Sequence, residues 1–450
     1  MRKKVHPIMD PSNFIDPNLT EPDLLVLKTL LRDAESQNNS GNLQPEEKGK
    51  NSTGIRSRGR STLNASNQTH SDDKYTIQRL QALNNTQAAE FEPTVFVSWD
   101  MKDLEKLPSI PKRILQAYIA TARQIVRVET DVVMLTHLIL YFTTSVPSAL
   151  YLFGPGNFTW VHGILHWIMQ SYYVGTYTLM MHQHIHMGGV LKKSLWWFDG
   201  LFPYITNPLM GHTWNSYYYH HVKHHHVEGN GPSDLSSTIR YQRDELVDFL
   251  CYIGRFFFFI WAELPLYFWR KGQAGMAAKA AFWELGNYLV LVLLWKYVSW
   301  RATLCVFVLP LLQLRVGLMV GNWGQHAFVD EVDPNSDFRS SITLIDVPSN
   351  RFCYNDGYHT SHHLNPRRHW REHPVSLLQQ KERYAAEHAL VFRNIDYIMI
   401  TVRLLRKDYA YLAKCLVPIG EQVGMSMDER AEMLRRKTRR FSEKDVKAKF

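Results

Sequence analysis

Two long apolar runs, at 132–153 and 160–181, most constrain how this chain can fold, because neither carries a formal charge. Each matches the roughly 20 residues that a helix needs to cross the hydrocarbon core of a bilayer. The connector between them is the short, turn-rich "GPGNFT", so the two runs are predicted to form a helical hairpin. Arg127 precedes the hairpin and Lys192 follows it, which places both of its ends in the cytosol.

A second apolar region follows further along the chain. The runs 281–300 and 302–322, which turn around Arg301, predict a second hairpin. The run 246–269 is also apolar but is interrupted by charges and a proline. Counting it as a span would give an odd number of crossings, so it is interpreted as an interfacial or partly inserted helix. The expected fold is therefore an all-α integral membrane protein with four spans in two hairpins, interfacial helices and a histidine-rich cytosolic cap.

The two ends of the chain differ from this body. Residues 1–90 are rich in Asn, Ser, Gln and Thr without an apolar period, which predicts a disordered polar head. Residues 95–400 form the expected membrane domain, and 401–450 a basic helical tail. The net charge of +9 comes largely from the two ends of the chain. Basic segments that flank apolar spans favour anionic lipid over nucleic acid as their partner. Both termini are expected in the cytosol, and the four cysteines have no disulfide or zinc spacing.

Histidine-rich motifs lie just beyond the predicted spans. "HQHIH" places His182 and His186 four residues apart, "HHVKHHH" and "YHTSHHLNP" each contain an H-x-x-H-H spacing, and "GNWGQH" places Asn322 four residues before His326. A single pair of this kind is often an ordinary interfacial polar pair. Two H-x-x-H-H sets together with the two shorter motifs, all on one predicted face, indicate metal ligands instead. Because one ion takes about four ligands, nine imidazoles predict two metal ions. Imidazole suits iron, copper and zinc, and redox chemistry on an unactivated substrate would favour iron.

This combination of motifs, separated by membrane hairpins, resembles the membrane fatty acid desaturase family over roughly residues 95–400. The resemblance implies two irons as cofactors and O2 as co-substrate, with an asparagine that contacts one iron through water. The metal ligands that it implies here are His182, His186, His221, His224, His225, His326, His359, His362 and His363, with Asn322 as the water-mediated group.

Two registers remain open within these motifs. His184 interrupts the first motif, and His220 and His226 offer alternative triads in the second. His221 is favoured because it reproduces the spacing of the third motif. The acids close to the motifs are candidates for orienting the rings: Glu228, Asp234, Asp330, Asp333 and Asp356. The other histidines considered are expected to be uninvolved: His137, His162, His166, His369 and His373.

The activity implied by the resemblance is O2-dependent desaturation of a lipid acyl chain or acyl-CoA, with hydroxylation, epoxidation or acetylenation as the alternative. Trp323, Tyr354 and Tyr358 are candidate walls of a substrate tunnel, and Arg315 is expected to face the bundle interior or the cytosol. The chain has no nucleotide-binding fingerprint and no HPGG motif, so electrons are expected from cytochrome b5 and its reductase or from a ferredoxin. The expected location is the endoplasmic reticulum membrane. A non-catalytic metal transporter is less favoured, because its ligands would lie inside the spans.

Overall fold

A computed structural model describes residues 10–17, 19–41, 71–345 and 347–450 of this chain, and the described part is mostly helical. The long helices are α1 (Glu21–Gly41), α2 (Val132–Phe153, with a break at Thr144), α3 (Trp160–Met187), α4 (Trp196–Leu209), α5 (Leu246–Arg270), α6 (Ala274–Tyr297) and α7 (Trp300–Gln325, which includes a π-helical stretch at Leu304–Val308). Helix α8 (His359–Leu364) carries the third histidine motif, and α9 (Tyr397–Leu405) follows further along the chain.

Shorter helices connect these elements. Residues 71–82 are helical. Further α-helices occur at Met101–Leu104, Ser109–Arg123, His226–Glu228, Asp337–Ser340, Pro348–Phe352, His373–Gln379, Lys381–Ala386, Tyr409–Cys415, Met427–Arg436 and Glu443–Lys449. A π-helix spans Tyr218–His225, and 3-10 turns occur at Lys193–Leu195, Trp370–Glu372 and Gly420–Gly424. A small sheet consists of β1 (Ile342–Leu344), parallel to β2 (Leu390–Phe392), which pairs antiparallel with β3 (Leu416–Val417).

Four of the helices are long and apolar enough to cross a membrane: α2, α5, α6 and α7. The expected spans 132–153 and 302–322 fall within α2 and α7, whereas the expected span 281–300 overlaps α6, which begins earlier and ends at Tyr297. The expected span 160–181 lies in α3, whose buried polar side chains, such as His166 and Gln170, make it less apolar than the other four. Among the described residues, four helices therefore meet the length and composition of a span, as many as the sequence predicts, but α5 takes the place of the expected span 160–181.

Helix α5 meets the length and composition of a span, although the sequence analysis interprets 246–269 as interfacial. The charges that motivate that interpretation are paired with each other or with the C-terminal segment. Arg255 Nε donates to Glu263 Oε1 at 3.1 Å within the helix, and Asp248 forms an ion pair with Arg440. Composition alone therefore does not exclude α5 from the membrane.

The expectation of a disordered head is wrong for the part of residues 1–90 that the structure describes. Val26, Leu27 and Leu30 form one face of α1, and Leu80 from the second helical stretch joins them in the main hydrophobic core. Three apolar side chains on one face of α1, packed with Leu80, are enough to anchor this segment, because each buried leucine or valine contributes about 1.5–3 kcal/mol. Residues 1–9, 18 and 42–70 lie outside the described part.

The C-terminal segment 401–450 packs on the same body. Leu412 and Leu434 are fully buried, and the guanidinium of Arg243, also fully buried, donates to the backbone carbonyls of Lys437 and Arg439. The tail is therefore attached to the segment that follows the second histidine motif. None of the four cysteines, all of which lie in the described part of the chain, forms a disulfide.

Candidate metal centre

The first group of histidines combines three separate parts of the chain. His182 and His186 project from the last turns of α3, His221 from the π-helix and His362 from α8, and their ligand nitrogens all lie within 4.8 Å of one another. His226 belongs beside them, because its Nε2 lies 3.1 Å from Nε2 of His221 and 2.8 Å from Nε2 of His362. These five residues are referred to below as group 1.

The second group lies next to the first. The ligand nitrogens of His225, His326 and His363 also lie within 4.8 Å of one another. His359 joins them, with its Nε2 at 3.2 Å from Nε2 of His326 and 3.1 Å from Nε2 of His363. These four residues form group 2. The ring centroids of His226 and His363 are 5.1 Å apart, so the two groups form one cluster of nine imidazoles.

The structure brings eight of the nine histidines named from the sequence into this cluster and leaves His224 out. Nε2 of His224 accepts a hydrogen bond from the backbone N–H of Leu235 at 3.1 Å, and its ring packs on Tyr267 at 4.5 Å between centroids. His226 takes the place that the sequence analysis assigned to His224. The histidines of the second motif that join the cluster therefore have the spacing H-x-x-x-H-H, from His221 to His225 and His226.

The local helix type explains this correction. The choice of His224 assumed an α-helix, in which residues three and four apart share a face. The segment Tyr218–His225 is instead a π-helix. Its i→i+5 hydrogen bonds place more residues in each turn, so residues four and five apart share a face and the residue three apart points elsewhere. No local signal in "HHVKHHH" distinguishes the two helix types.

Hydrogen bonds to the other ring nitrogen orient several of these imidazoles. His225 Nδ1 donates to Asp234 Oδ2 at 2.7 Å, and His326 Nδ1 donates to the carbonyl of Ser340 at 2.8 Å. In each ring this bond occupies Nδ1 and leaves Nε2 to face the other imidazoles of group 2. In group 1, His182 Nδ1 lies 3.2 Å from the hydroxyl of Tyr217. Such bonds fix the tautomer of a ligand and raise its basicity.

The candidate orienting acids have different roles in the structure. Asp234 is fully buried, and burial alone would raise its pKa, but the neighbouring His225 lowers the pKa of this carboxyl below its usual value. Glu228 instead accepts from the hydroxyl of Tyr267, and Asp330 pairs with Lys437. Asp337, which the sequence analysis did not single out, lies 3.5 Å from Nδ1 of His363.

Two further acids have other surroundings. Asp356 lines a cavity that adjoins the histidine cluster, and burial raises the pKa of its carboxyl to about 7. The backbone N–H of Asp333 donates to Asp330 Oδ1.

Apart from His226, the histidines left open or set aside lie outside the two groups. His184 Nε2 donates to the carbonyl of Asp199 at 2.9 Å, so it turns away from the cluster. The ring of His220 packs between His224 and Phe256. The remaining five contact other partners: His137, His162, His166, His369 and His373.

The donor set fits a pair of metal ions. Burial, followed by the neighbouring imidazoles, lowers the pKa of His226, His359 and His362 well below the usual value, so these rings are neutral at pH 7 and present a lone pair. Nε2 of His186 is buried without a hydrogen-bond partner, which is costly unless another atom binds it. Five and four imidazoles in adjacent groups match what two transition-metal ions require.

A cavity of about 460 Å³ adjoins the cluster. Residues of both groups and Asn322 line one end of it, and Val174 of α3 and Gln313 of α7 line the other. Val174 and His182 are eight residues apart, so the cavity extends for about 12 Å along α3. Its size and shape suit a slender apolar ligand.

Asn322 and the expected wall residues occupy different positions around this cavity. The amide Nδ2 of Asn322 donates to the hydroxyl of Tyr252 at 2.7 Å and to the carbonyl of Ser236 at 2.9 Å. Tyr354 lines the cavity as expected. Trp323 instead packs against Tyr252, and the hydroxyl of Tyr358 donates to Asp23.

Arg315 faces the bundle interior, one of the two positions expected for it. Its Nη2 forms an ion pair with Glu284 of α6 and contacts the hydroxyl of Tyr288. Glu284 also accepts from the hydroxyl of Thr213. This buried pair connects α6 with α7 and satisfies the charge of Arg315 away from lipid.

The fold and the site together define a class of protein: an integral membrane metalloprotein whose long apolar helices carry paired histidine groups. Residues 158–375, which contain every histidine of both groups, match the family model of the fatty acid desaturases. The chain belongs to the membrane fatty acid desaturase family through this region, as its motifs predicted, and it is an oxidoreductase of the desaturase and hydroxylase type. Comparisons with curated proteins and with solved structures found no match.

Proposed function

We propose that this protein is an O2-dependent di-iron desaturase that introduces a double bond into a lipid acyl chain. The observation that carries the proposal is the contact between the nine-imidazole cluster and a narrow cavity between α3 and α7. An acyl chain in that cavity would have one pair of adjacent carbons beside the histidines. The protein's own contribution is to place those carbons and to exclude water.

The two groups would each hold one iron. Group 1 supplies five imidazoles, and group 2 supplies four together with Asn322, which would contact its iron through water. When bound, the iron pair supplies the activation of O2 that allows hydrogen to be removed from an unactivated carbon. In the overall reaction, one O2 takes two hydrogen atoms from the substrate, two electrons and two protons from a donor, and leaves as two waters.

Lipid analysis tests the reaction. Lipids of cells that express this chain would be compared by mass spectrometry with those of cells expressing His363→Ala at equal protein level. We expect a product lighter by two hydrogen atoms that the variant does not form, and its head group identifies the acyl carrier, whether a lipid or acyl-CoA. A product heavier by one oxygen atom would instead establish a hydroxylase or epoxygenase on the same centre.

We further propose that α5 lies at the membrane interface and that the other long helices form two hairpins. His225 precedes α5 and His326 follows α7, yet their ring centroids are 5.5 Å apart. The chain must therefore cross the bilayer an even number of times between them, and three helices lie in that interval.

Contacts of α5 favour it as the helix that does not cross. The hydroxyls of Tyr252 and Tyr267 donate to Ser236 and Glu228, which both belong to the segment of the second motif. These tyrosines are about 22 Å apart along the helix, so α5 follows that segment over most of its length. In this proposed topology both termini would lie in the cytosol.

Cysteine labelling tests this topology. In a chain without its four native cysteines, Gln273→Cys places a thiol in the exposed turn between α5 and α6. With an interfacial α5, an impermeant maleimide labels this thiol from the cytosolic side of sealed endoplasmic reticulum vesicles. Labelling only after permeabilisation would show that α5 crosses.

The electron donor that we propose is cytochrome b5 with its reductase, or a ferredoxin. Arg367, four residues after His363, is exposed, and so is Lys193 beyond the end of α3. Basic side chains beside a metal centre attract an acidic partner and raise its association rate. Added salt should therefore slow the reduction of the iron by cytochrome b5. At low salt, Arg367→Glu should also be reduced more slowly than the wild type. A reduction rate that neither change affects would contradict this docking site.

A further inference from the structure

A carboxylate from the N-terminal helix reaches the third histidine motif. Asp23 of α1 is 1% exposed, and its Oδ1 accepts a hydrogen bond from the hydroxyl of Tyr358 at 2.6 Å. Both of its oxygens also lie 3.3 Å from the amide Nδ2 of Asn350. Helix α1 lies outside residues 158–375, so this contact joins the family region to a segment beyond it.

The loop that Asp23 contacts has a costly backbone conformation. Tyr354 and Asn355 are consecutive non-glycine residues with φ of 54° and 55°. Non-glycine residues in this left-handed region are destabilising and persist only where their surroundings hold them. The surroundings here include Asn350, whose Oδ1 accepts from the backbone N–H of Gly357 at 2.8 Å. A Cβ at Gly357 would lie 2.3 Å from the carbonyl of Leu344, so the loop is tightly enclosed.

The same loop leads directly into three candidate ligands. Tyr358 immediately precedes His359, and its carbonyl accepts the backbone N–H of His362 at 3.1 Å in the first turn of α8. A shift of Tyr358 would therefore move His359 and the helix that carries His362 and His363. Through Tyr358 and Asn350, Asp23 bonds to both sides of the loop that sets the position of α8.

We propose that Asp23 is a positioning residue for the metal centre, and that the centre therefore depends on α1 for the position of its histidines. The inference rests on the proposed di-iron function. Asp23 acts through Tyr358 on His359, so the effect of losing it should concentrate on group 2. Without the carboxylate, the loop can relax from its left-handed residues and His359 no longer meets His326 and His363 at bonding distance.

The competing explanation is that Asp23 only anchors α1. The helix has a second polar anchor suitable as a matched control, because Asp33 forms ion pairs with Lys381 and Arg32. Asp33→Ala loosens the same helix without touching the loop of the third motif. A difference between Asp23→Ala and Asp33→Ala therefore separates positioning from anchoring.

The experiment compares the full-length wild type with Asp23→Ala, Tyr358→Phe, the double variant and Asp33→Ala. Each protein is purified in detergent and measured for iron per chain, for the visible spectrum of its cobalt-substituted form and for metal-free unfolding temperature. We expect Asp23→Ala and Tyr358→Phe each to lose about half of the bound iron and to change the cobalt spectrum. The double variant should lose no more than Asp23→Ala, and Asp33→Ala should keep both signals.

The outcomes are distinct. Wild-type iron content and an unchanged cobalt spectrum in both Asp23→Ala and Tyr358→Phe would overturn the inference and leave the proposed function intact. If Asp23→Ala does not fold, Tyr358→Phe decides the question, since it removes a single hydroxyl. A wild-type chain that binds no iron or cobalt would overturn the proposed function itself, and the inference with it.

Discussion

Nε2 of His226 lies 2.8 Å from Nε2 of His362, although the two residues are 136 positions apart in the chain. Two ring nitrogens at that distance either share a proton or bind a common ion. The pKa of both rings is lowered well below the usual value, first by burial and then by neighbouring imidazoles. This pair therefore assigns His226 to group 1.

Replacement of His226 tests that assignment. His226→Ala should lose about half of the iron, because group 1 is one of two proposed ion sites. His224→Ala is the matched control, since it removes an adjacent imidazole whose Nε2 already accepts from Leu235. Iron per chain, measured on purified protein, distinguishes the two. Greater iron loss in His224→Ala than in His226→Ala would return His224 to the ligand set.

Asp234 should influence metal affinity without touching the metal. Asp234→Asn weakens the bond that holds His225 Nδ1 at 2.7 Å, and loss of such a partner typically costs about 10–100-fold in affinity. Competition with a chelator measures this change. Asp330→Asn serves as the control, because Asp330 pairs with Lys437 instead of a candidate ligand. Equal affinities in the two variants would contradict an orienting role for Asp234.

The first and third motifs were readable from the sequence because they lie on α-helices. His182 and His186 share a face of α3, and His359 and His363 share a face of α8, so a spacing of four residues identifies neighbouring rings. The second motif was not readable in the same way. In its π-helix, residues four and five apart share a face, instead of residues three and four apart. Whether a segment forms a π-helix depends on tertiary packing that no local pattern reveals.

Three of the four candidate membrane helices, α2, α6 and α7, were predictable from apolar length, whereas the head was not. Helix α1 buries Val26, Leu27 and Leu30 in a polar stretch whose average composition indicates disorder. The contact between Asp23 and Tyr358 spans 335 positions, and sequence spacing carries no information over such a distance. Long-range pairing of this kind is decided by the packed structure alone.

Stability of the metal-free protein should fall in acid. Burial lowers the pKa of His373 to about 3, and it also lowers the pKa of His326 and His359 well below 6.5. Below pH 6.5 the unfolded chain therefore binds protons that the folded chain does not, and stability declines as pH falls from about 6.5 toward 3. Each such group contributes about 1.4 kcal/mol per pH unit within that window.

Thermal unfolding with a chelator present measures this dependence. The unfolding temperature should be nearly constant from pH 7.5 to 8.5 and should drop between pH 6.5 and 5. His373→Gln should show a shallower drop, because it removes one of the groups. An unfolding temperature that does not change between pH 7 and 5 would contradict the buried, neutral imidazoles.

The cavity should select acyl chains by length at Gly317 of α7. A Cβ at this position would meet no atom within 4 Å, and Gly317 lies one turn from Gln313 at the far end of the cavity. Gly317→Leu therefore fills space that the end of the chain would occupy, about 7–8 Å along the helix from Asn322. A lipid of the original length would then place the wrong carbons at the histidines, and misplacement by about 1 Å can cost roughly a hundredfold in rate.

Product analysis by mass spectrometry measures this selection. Gly317→Leu should retain its iron, lose most activity on the preferred lipid and shift its products toward shorter acyl chains. Gly275→Leu is the control, because Gly275 is exposed near the start of α6 and also has open space around it. If Gly317→Leu keeps the wild-type product lengths at the wild-type rate, the acyl chain does not extend along α7 toward Gln313, and the substrate must approach the histidines from another side.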